Sequence, residues 1–195
     1  MIAIVDLGIG NFANVEKALD GKVVVRPKVL KKADKIVLPG VGNFGEVARK
    51  IAPLRETILE KIDAGTPFLG ICLGMQLLFP GSSEGDGRGL SIIPGEVKAL
   101  PGQASPHIGW NRVHLEGEDS LLEEVKSGSF FYFVHSYFVN PEEDDVITGR
   151  TEYEACGEIK SFPSAVRKGN LFGVQFHPEK SSENGLKVLE KFKRL

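Results

Sequence analysis

The segment from Phe68 to Gln76 constrains the fold of this chain more than any other stretch. An apolar, strand-like run enters Gly70-Ile71-Cys72-Leu73-Gly74, and a helical pattern begins directly after it, over residues 73–79. A strand can turn this sharply into a helix only where bulky neighbours are absent, and the two glycines provide that space. Because strands that lead into helices build α/β folds, the segment predicts a strand–turn–helix elbow in such a fold.

The rest of the first half repeats this alternation of strand and helix. Short apolar runs, typical of buried strands, cover residues 2–5, 23–25 and 36–38. Helical patterns cover residues 12–19, with Asn11 as the N-cap, and residues 44–64, with a break at Pro53. This order predicts a parallel sheet with helices on both faces.

The second half is richer in strands. A closing helix is predicted at residues 183–195, with Leu186, Leu189 and Phe192 on its inner face. The strand-like runs are close together, so we expect antiparallel strands that extend the parallel core or pack beside it. The chain therefore predicts one domain, residues 1–195, in which a mixed, mostly parallel central sheet lies between helices in a three-layer sandwich. The runs cover residues 96–100, 112–115, 130–135, 146–151, 163–167 and 171–176.

The composition narrows the possible functions. The 195 residues are 42% hydrophobic and 26% charged, as in an ordinary soluble globular protein. A net charge of −2 provides no basic surface for nucleic acid or anionic membranes, and no apolar run is long enough to span a membrane. With no secretory signal pattern and only two cysteines, Cys72 and Cys156, we expect a reducing cytoplasm and no disulfide.

Cys72 is the strongest candidate for a catalytic residue. At the elbow, the free N–H groups and the dipole of the following helix favour its thiolate, which is the reactive form of a cysteine. A buried structural cysteine is the alternative, since that is a common role of a single Cys. The elbow favours a nucleophile and therefore an acyl-transfer enzyme.

A nucleophilic thiol needs a base and a group that orients the base. His177 ends an apolar strand pattern, where sites gather in parallel sheets, and Glu179 follows two residues later, on the same face of an extended chain. His135 ends another strand pattern and is a rival base, but it is better interpreted as a hydrogen-bonded wall of the site. His107 and His114 have no catalytic pattern around them.

An oxyanion hole needs backbone N–H groups near the nucleophile. Leu73, at the start of the elbow helix, is one candidate donor, and the turn after the 36–38 strand offers Val41 or Gly42 as a second. That turn lacks the Lys-Ser or Lys-Thr pair of a phosphate-binding P-loop. Residues 6–10 match a dinucleotide turn only weakly, because Ala13 stands where a third glycine is needed. The cysteines and histidines do not have metal-site spacing, and no cofactor is expected.

Together these residues resemble the class I, or triad, glutamine amidotransferases. The elbow around Cys72 is similar to that family's nucleophile elbow, and His177-Pro178-Glu179 to its His-x-Glu pair. Further segments narrow the resemblance to the glutaminase subunits of imidazole glycerol phosphate synthase, in histidine biosynthesis. The resemblance covers essentially the whole chain and implies the flavodoxin-like fold of these amidotransferases. The segments are residues 6–11, 39–45, 107–111, 133–137, 162–166 and 175–181.

The resemblance also implies roles for single residues. Cys72 would form a glutamyl thioester, His177 would pass a proton to the departing ammonia, and Glu179 would orient His177. The 39–41 turn matches the family's oxyanion strand. Other positions match residues that hold the substrate glutamine or face the partner protein. They are Gly42, Gln76, Glu84, Ser136 and Tyr137 for glutamine, and Asn11, Trp110 and Tyr132 for the partner.

The implied partner is a cyclase subunit with a (β/α)8 barrel, in a heterodimer. Ammonia would cross the interface and react with a phosphorylated ribulosyl intermediate, giving imidazole glycerol phosphate and aminoimidazole carboxamide ribotide. The chain departs from the family pattern at residues 19–29, which are short, and at residues 80–83, which replace the more usual acidic residues before Glu84. Cys156 matches no catalytic position.

Three other functions remain open at this point. The glutaminase of another pathway, such as anthranilate or pyridoxal phosphate synthesis, is disfavoured by Gly109-Trp110-Asn111. A non-catalytic binding protein is disfavoured by the intact set of Cys72, His177 and Glu179. A peptidase with a related elbow would take its base from outside the His-x-Glu pair.

Overall fold

The computed structural model describes residues 1–8, 12–102 and 106–195, so the predicted N-cap Asn11 lies outside the described residues. None of the helices in these ranges is both long and apolar enough to cross a membrane. The strands are β1 (Ile2–Val5), β2 (Lys22–Val24), β3 (Lys35–Gly40), β4 (Phe68–Cys72), β5 (Gly95–Ala99), β6 (His107–Leu115), β7 (Ser129–His135), β8 (Tyr137–Pro141), β9 (Ile147–Ala155), β10 (Glu158–Lys168) and β11 (Leu171–Val174). The helices are α1 (Ala13–Leu19), α2 (Pro27–Leu30), α3 (Phe44–Ile51), α4 (Arg55–Asp63), α5 (Leu73–Gln76) and α6 (Ser182–Arg194).

Nine strands form one mixed sheet in the order β2-β1-β3-β4-β11-β10-β9-β6-β7. The five strands from β2 to β11 pair in parallel, and the four from β10 to β7 continue the sheet in antiparallel pairing. Strands β5 and β8 form a separate antiparallel pair. Both expected arrangements of the additional strands therefore occur, since some extend the parallel core and others pack beside it.

Successive residues of the central strands enter two different hydrophobic cores. In β3, Ile36 and Leu38 belong to one buried cluster and Val37 belongs to the other. Helices α3 and α4 contribute to the first cluster, and α1 and α6 contribute to the second. Full burial of each large apolar side chain contributes about 1.5–3 kcal/mol. The helices on both faces confirm the predicted three-layer α/β architecture.

The inner face of α6 differs from the prediction. Leu186 is 53% exposed, whereas Gly185, Val188, Leu189 and Phe192 are buried. These four residues follow the i, i+3, i+4, i+7 spacing of one helix face, and Leu186 lies about 100° away from it. The prediction for Leu189 and Phe192 is confirmed, and that for Leu186 is wrong.

Several element bounds also differ from the expected ones. Strand β6 begins at His107 rather than at residue 112, because it pairs with β7 as far as the His107–His135 pair. The predicted 73–79 helix is α-helical only over Leu73–Gln76. Strand β8 did not show in the sequence pattern and depends on its pairing with β5. Strand β2 has three residues, in agreement with the shortness of the 19–29 segment.

At the elbow, the backbone of α5 approaches the backbone of β3 closely. A Cβ on Gly74 would lie 1.7 Å from the carbonyl oxygen of Leu38, and one on Gly70 would lie 2.6 Å from that of Gly74. Neither glycine has a positive φ. Both are therefore needed for the space they leave, which lets α5 pack across the end of β3.

We expect Gly74→Ala to lower the free energy of unfolding by about 3 kcal/mol or more, because the methyl group would overlap a backbone carbonyl held in the sheet. Gly81→Ala is the matched control, since a Cβ there meets nothing within 4 Å. Its effect should stay below about 1 kcal/mol. Denaturant unfolding of both variants measures the difference, and equal stabilities would contradict the close approach.

Candidate active site

Cys72 lies at the end of β4, where the parallel strands of the sheet also end. Its backbone has φ 55° and ψ −112°, a conformation that a non-glycine residue rarely adopts. Such strain persists only where the surrounding structure holds it, and it concentrates at functional sites. The side chain is 5% exposed, so the sulfur lies at the floor of a cleft rather than on the open surface.

His177 and Glu179 follow the neighbouring strand β11. Strands β4 and β11 are parallel, and Val174 pairs with Ile71, so both chains leave the sheet at the same edge. His177 Nδ1 lies 2.7 Å from Glu179 Oε1, and the two side chains are almost completely buried. The structure thus brings together the three residues that the sequence selected as nucleophile, base and orienting acid.

The electrostatics of His177 depend on two negative groups. Burial is the largest single effect and disfavours the charged imidazolium. The charge of the nearby Cys72 and the Glu179 carboxylate together outweigh burial and raise the pKa of His177 to about 10. Nε2 of His177 has no hydrogen-bond partner among the described residues. His177 is therefore an imidazolium at neutral pH, with the Nε2 proton available for transfer.

A cavity of about 240 Å³ opens in front of Cys72. Its lining includes all seven residues that were expected to hold glutamine or to supply the oxyanion hole. Larger surface cavities, of about 330 to 600 Å³, lie elsewhere, but no described residue lining them is a cysteine or histidine. The cavity beside Cys72 is lined by Val41, Gly42, Cys72, Leu73, Gln76, Glu84, Pro106, Val134, His135, Ser136 and Tyr137.

Glu84 has a structural contact in addition to its place at the cavity. Its Oε2 accepts a hydrogen bond of 2.7 Å from the backbone N–H of Phe44, the first residue of α3. A carboxylate at a helix N-terminus satisfies a free N–H group and interacts favourably with the helix dipole. This contact ties the loop that carries Glu84 to the turn that carries Gly42, although the preceding residues 80–83 depart from the family pattern.

Gln175 is the residue that the sequence analysis missed. Its side chain is fully buried, and its Nε2 lies 3.5 Å from Cys72 Sγ. Its Oε1 accepts a hydrogen bond of 3.1 Å from Gln76 Nε2. A polar residue within the apolar run 174–176 was the available signal, because such a residue must find buried partners.

His135, the rival base, forms part of the cavity wall. Burial lowers its pKa to about 3, even though the Tyr137 carbonyl oxygen, 2.9 Å from Nδ1, favours the protonated form. Its Nε2 lies 3.2 Å from Nδ1 of His107, whose Nε2 lies 3.2 Å from Asn111 Nδ2. His135 is therefore neutral and fully bonded, in agreement with a wall residue rather than a base.

The residues expected at the partner surface lie next to this site. Trp110 on β6 is 50% exposed and pairs across the sheet with Tyr132 on β7, with ring centroids 6.1 Å apart. The backbone of Tyr132 is hydrogen-bonded to the segment that carries His177 and Glu179, because its carbonyl accepts from His177 N–H and its N–H donates to Ser181 Oγ. Asn11, the third residue of that prediction, lies outside the described residues.

Two other candidates have no part in the cavity. Cys156 is exposed in the turn between β9 and β10 and does not line the cavity beside Cys72. His114, on β6, is exposed. Within the described ranges, no group of three or more His, Cys, Asp or Glu side chains could hold a metal ion.

Known proteins resemble this chain in sequence and in structure. The family model of glutamine amidotransferase class-I matches residues 11–194. "Imidazole glycerol phosphate synthase subunit HisH" of Pyrococcus furiosus is 56% identical, over 100% of this chain and 98% of that protein. The subunit of the same name from Thermococcus kodakarensis is 55% identical, over 100% of both chains.

A solved structure of PurLQS from Thermotoga maritima covers 98% of this chain and 96% of its own, with a TM-score of 0.78 and 18% identity. At that identity the likeness concerns the fold alone. The sequence relatives cover the full length of the chain, including the elbow and the His177–Glu179 pair. The chain belongs to the class-I glutamine amidotransferase family and, within it, to the HisH subunits of imidazole glycerol phosphate synthase.

Proposed function

We propose that this chain hydrolyses glutamine to glutamate and ammonia through a thioester on Cys72, and that the ammonia passes to a cyclase subunit. One observation carries this proposal. Cys72, at a strained elbow, lies between the hydrogen-bonded His177–Glu179 pair and a cavity lined by every residue expected to hold glutamine. The match to class-I glutamine amidotransferases and the name of the HisH relatives support the substrate and the pathway.

In the first half-reaction, Sγ of Cys72 attacks the side-chain carbonyl carbon of glutamine. The carbonyl oxygen becomes an oxyanion, for which the N–H of Leu73 and that of Val41 or Gly42 are the proposed donors. His177 then gives its Nε2 proton to the amide nitrogen, the C–N bond breaks, and ammonia leaves. The raised pKa of His177 suits this role, because the imidazolium is present before the attack begins.

In the second half-reaction, water replaces ammonia. The water oxygen attacks the thioester carbonyl carbon while neutral His177 accepts a proton from the water. The C–S bond then breaks, Cys72 leaves as a thiolate, and glutamate is released. The Glu179 carboxylate keeps Nδ1 of His177 protonated and so directs Nε2 toward the reacting atoms. The same imidazole therefore acts first as an acid and then as a base.

The cavity supports a small substrate. Its volume of about 240 Å³ is below the roughly 300–1,000 Å³ of pockets for drug-sized ligands. Glu84 provides a carboxylate for an ammonium group, and the Gln76 side chain and the 136–137 backbone provide neutral polar groups. We assign these residues, with Gly42, to binding of glutamine.

The partner is proposed to bind the exposed face of β6 and β7. Ile108 and Trp110 are exposed there, and on the neighbouring strand Tyr132 pairs with Trp110 and the exposed Phe130 lies two residues before it. Aromatic residues are enriched at the centres of protein interfaces. Because the Tyr132 backbone is bonded to the His177 segment, a barrel-shaped cyclase on this face would receive ammonia close to where it forms.

In this proposal the complex is a heterodimer that needs no metal or cofactor and acts in the cytoplasm. The cyclase subunit would add the ammonia to a phosphorylated ribulosyl intermediate. The products would be imidazole glycerol phosphate and aminoimidazole carboxamide ribotide. The whole chain, residues 1–195, is proposed to act as one glutaminase domain.

We expect Cys72→Ala to lower glutamine hydrolysis by at least about 10³-fold, because it removes the nucleophile. The assay measures glutamate release with the cyclase subunit of the same organism, with and without the ribulosyl substrate. Cys156→Ala is the matched control, since Cys156 is the other cysteine and is exposed; it should keep full activity. Turnover by Cys72→Ala would contradict the mechanism.

We expect the pKa of His177, about 10 in the intact site, to fall in Cys72→Ala, because the thiolate charge is lost. Since the pKa lies above the ordinary 6.5, protonation of His177 stabilises the fold fully below pH 6.5, and this contribution is lost as pH rises toward 10. Long-range ¹H–¹⁵N NMR measures the titration, and unfolding at several pH values measures the stability. An unchanged pKa in the variant would show that Cys72 does not control His177.

We expect Trp110→Ala to weaken binding of the cyclase subunit by at least about tenfold, as for a central aromatic residue of an interface. Val25→Ala is the control, because Val25 is 59% exposed and follows β2 at the opposite edge of the sheet. Calorimetric titration compares the two dissociation constants. Equal affinities would show that the partner binds elsewhere.

A further inference from the structure

A short row of buried side chains leads from the cavity wall to the nucleophile. Gln76 Nε2 donates to the Tyr137 carbonyl oxygen at 2.9 Å and to Gln175 Oε1 at 3.1 Å. Gln175 Nε2 in turn lies 3.5 Å from Cys72 Sγ. Both glutamine side chains are buried, with exposures of 4% for Gln76 and 0% for Gln175.

The backbone determines which way these amides point. The nitrogen and oxygen of a side-chain amide must be assigned from their partners. The Tyr137 carbonyl can only accept, so Gln76 must present its NH₂ group there. The same NH₂ group also faces Gln175, which must therefore present its oxygen to Gln76 and its own NH₂ group to the Cys72 sulfur.

The Tyr137 carbonyl is held on its other side as well. Nδ1 of His135 lies 2.9 Å from this oxygen and must carry a proton to bond with it. His135 Nε2 is then an acceptor for Nδ1–H of His107, 3.2 Å away. The Tyr137 oxygen thus has two buried donors, and the orientation of both glutamine amides is set by a rigid acceptor.

We infer that Gln175 is a catalytic residue whose side-chain N–H donates a hydrogen bond to Cys72 Sγ and stabilises the thiolate. Gln76 is the positioning residue that holds the donor in place. An N–H group bonds more strongly to a charged acceptor than to a neutral thiol, so the contact favours the ionised nucleophile. The inference deepens the proposed glutaminase function and rests on it for its effect on turnover.

This contact also acts when the thioester is hydrolysed. As water adds and the C–S bond breaks, the electron pair of that bond returns to sulfur, and negative charge develops at Sγ. The Gln175 N–H group is already aimed at this atom, so no reorganisation is needed. Loss of the donor should therefore reduce the fraction of Cys72 that is present as thiolate. It should also slow the release of glutamate from the thioester.

Other groups also act on Cys72. His177 is the positive neighbour, neutral His135 and Glu84 line the same cavity, and the Val134 carbonyl oxygen lies 3.8 Å from Sγ. The carbonyl can accept a hydrogen bond from the thiol but gives the thiolate no stabilisation. Among the described residues, Gln175 is the neutral side chain with an N–H aimed at the sulfur.

Gln175→Met tests the inference, because methionine keeps the length of the side chain and removes the donor. Alkylation of Cys72 by iodoacetamide, followed by mass spectrometry from pH 5 to 9, measures its reactivity as thiolate. We expect the pH profile to move upward, with a rate about tenfold lower at pH 6, as for loss of a hydrogen bond to a charged group. In the complex with the cyclase subunit, kcat should fall with little change in KM.

Ser164→Ala is the matched control. Ser164 is fully buried on the adjacent strand, its backbone oxygen accepts from Gln175 N–H, and its hydroxyl has no partner among the described residues. The control should leave the alkylation profile and turnover unchanged. Denaturant unfolding of both variants shows whether each one is folded.

A second measurement uses the unmodified side chain, in case Gln175→Met does not fold. In the ¹⁵N-labelled protein, the side-chain N–H signals of Gln175 should shift as the site titrates and lose this dependence in Cys72→Ala. An unchanged alkylation profile in folded Gln175→Met, or signals insensitive to Cys72, would overturn the inference. Because iodoacetamide needs neither glutamine nor partner, absence of glutaminase activity would refute the proposed function and leave this test intact.

Discussion

The parallel pairing of β4 with β11 is the constraint on which the site depends. The pairing of Ile71 with Val174 makes both strands end at one edge of the sheet, with Cys72 beyond one and His177 beyond the other. A slip of one residue would turn His177 to the opposite face, because side chains alternate along a strand. Because β11 is the last strand of the chain, Cys72 and His177 are brought together only by a pairing between segments about 100 residues apart in sequence.

The elbow depends on a second close contact, between α5 and the end of β3. The Cα of Gly74 packs closely against the Leu38 carbonyl oxygen. The strained backbone conformation of the turn lies at Cys72. Strain of this kind costs about 1–3 kcal/mol, which the two hydrophobic cores around the sheet can supply. The strained residue is thus the one proposed as the nucleophile.

Several polar side chains are buried around the site, although polar side chains are uncommon in a protein interior. Gln76, Gln175, His135 and His177 are all buried, and most of their polar atoms are bonded to one another or to backbone. His177 Nε2 and Glu179 Oε2 have no partner among the described residues. Buried groups left without a partner are rare in stable interiors, and here both belong to the two residues proposed to act as base and orienting acid.

The sequence by itself determined the alternation of strands and helices, the elbow and the residue types of the triad, because these depend on local pattern and on motifs within a few residues. It could not place Leu186, whose exposure depends on the rotation of α6 against the sheet, or find β8, which forms only through pairing with β5. The tertiary structure alone decided the contact of Gln175 with Cys72 and the neutral state of His135. Both depend on burial and on partners distant in sequence, and a local pattern carries no information about either.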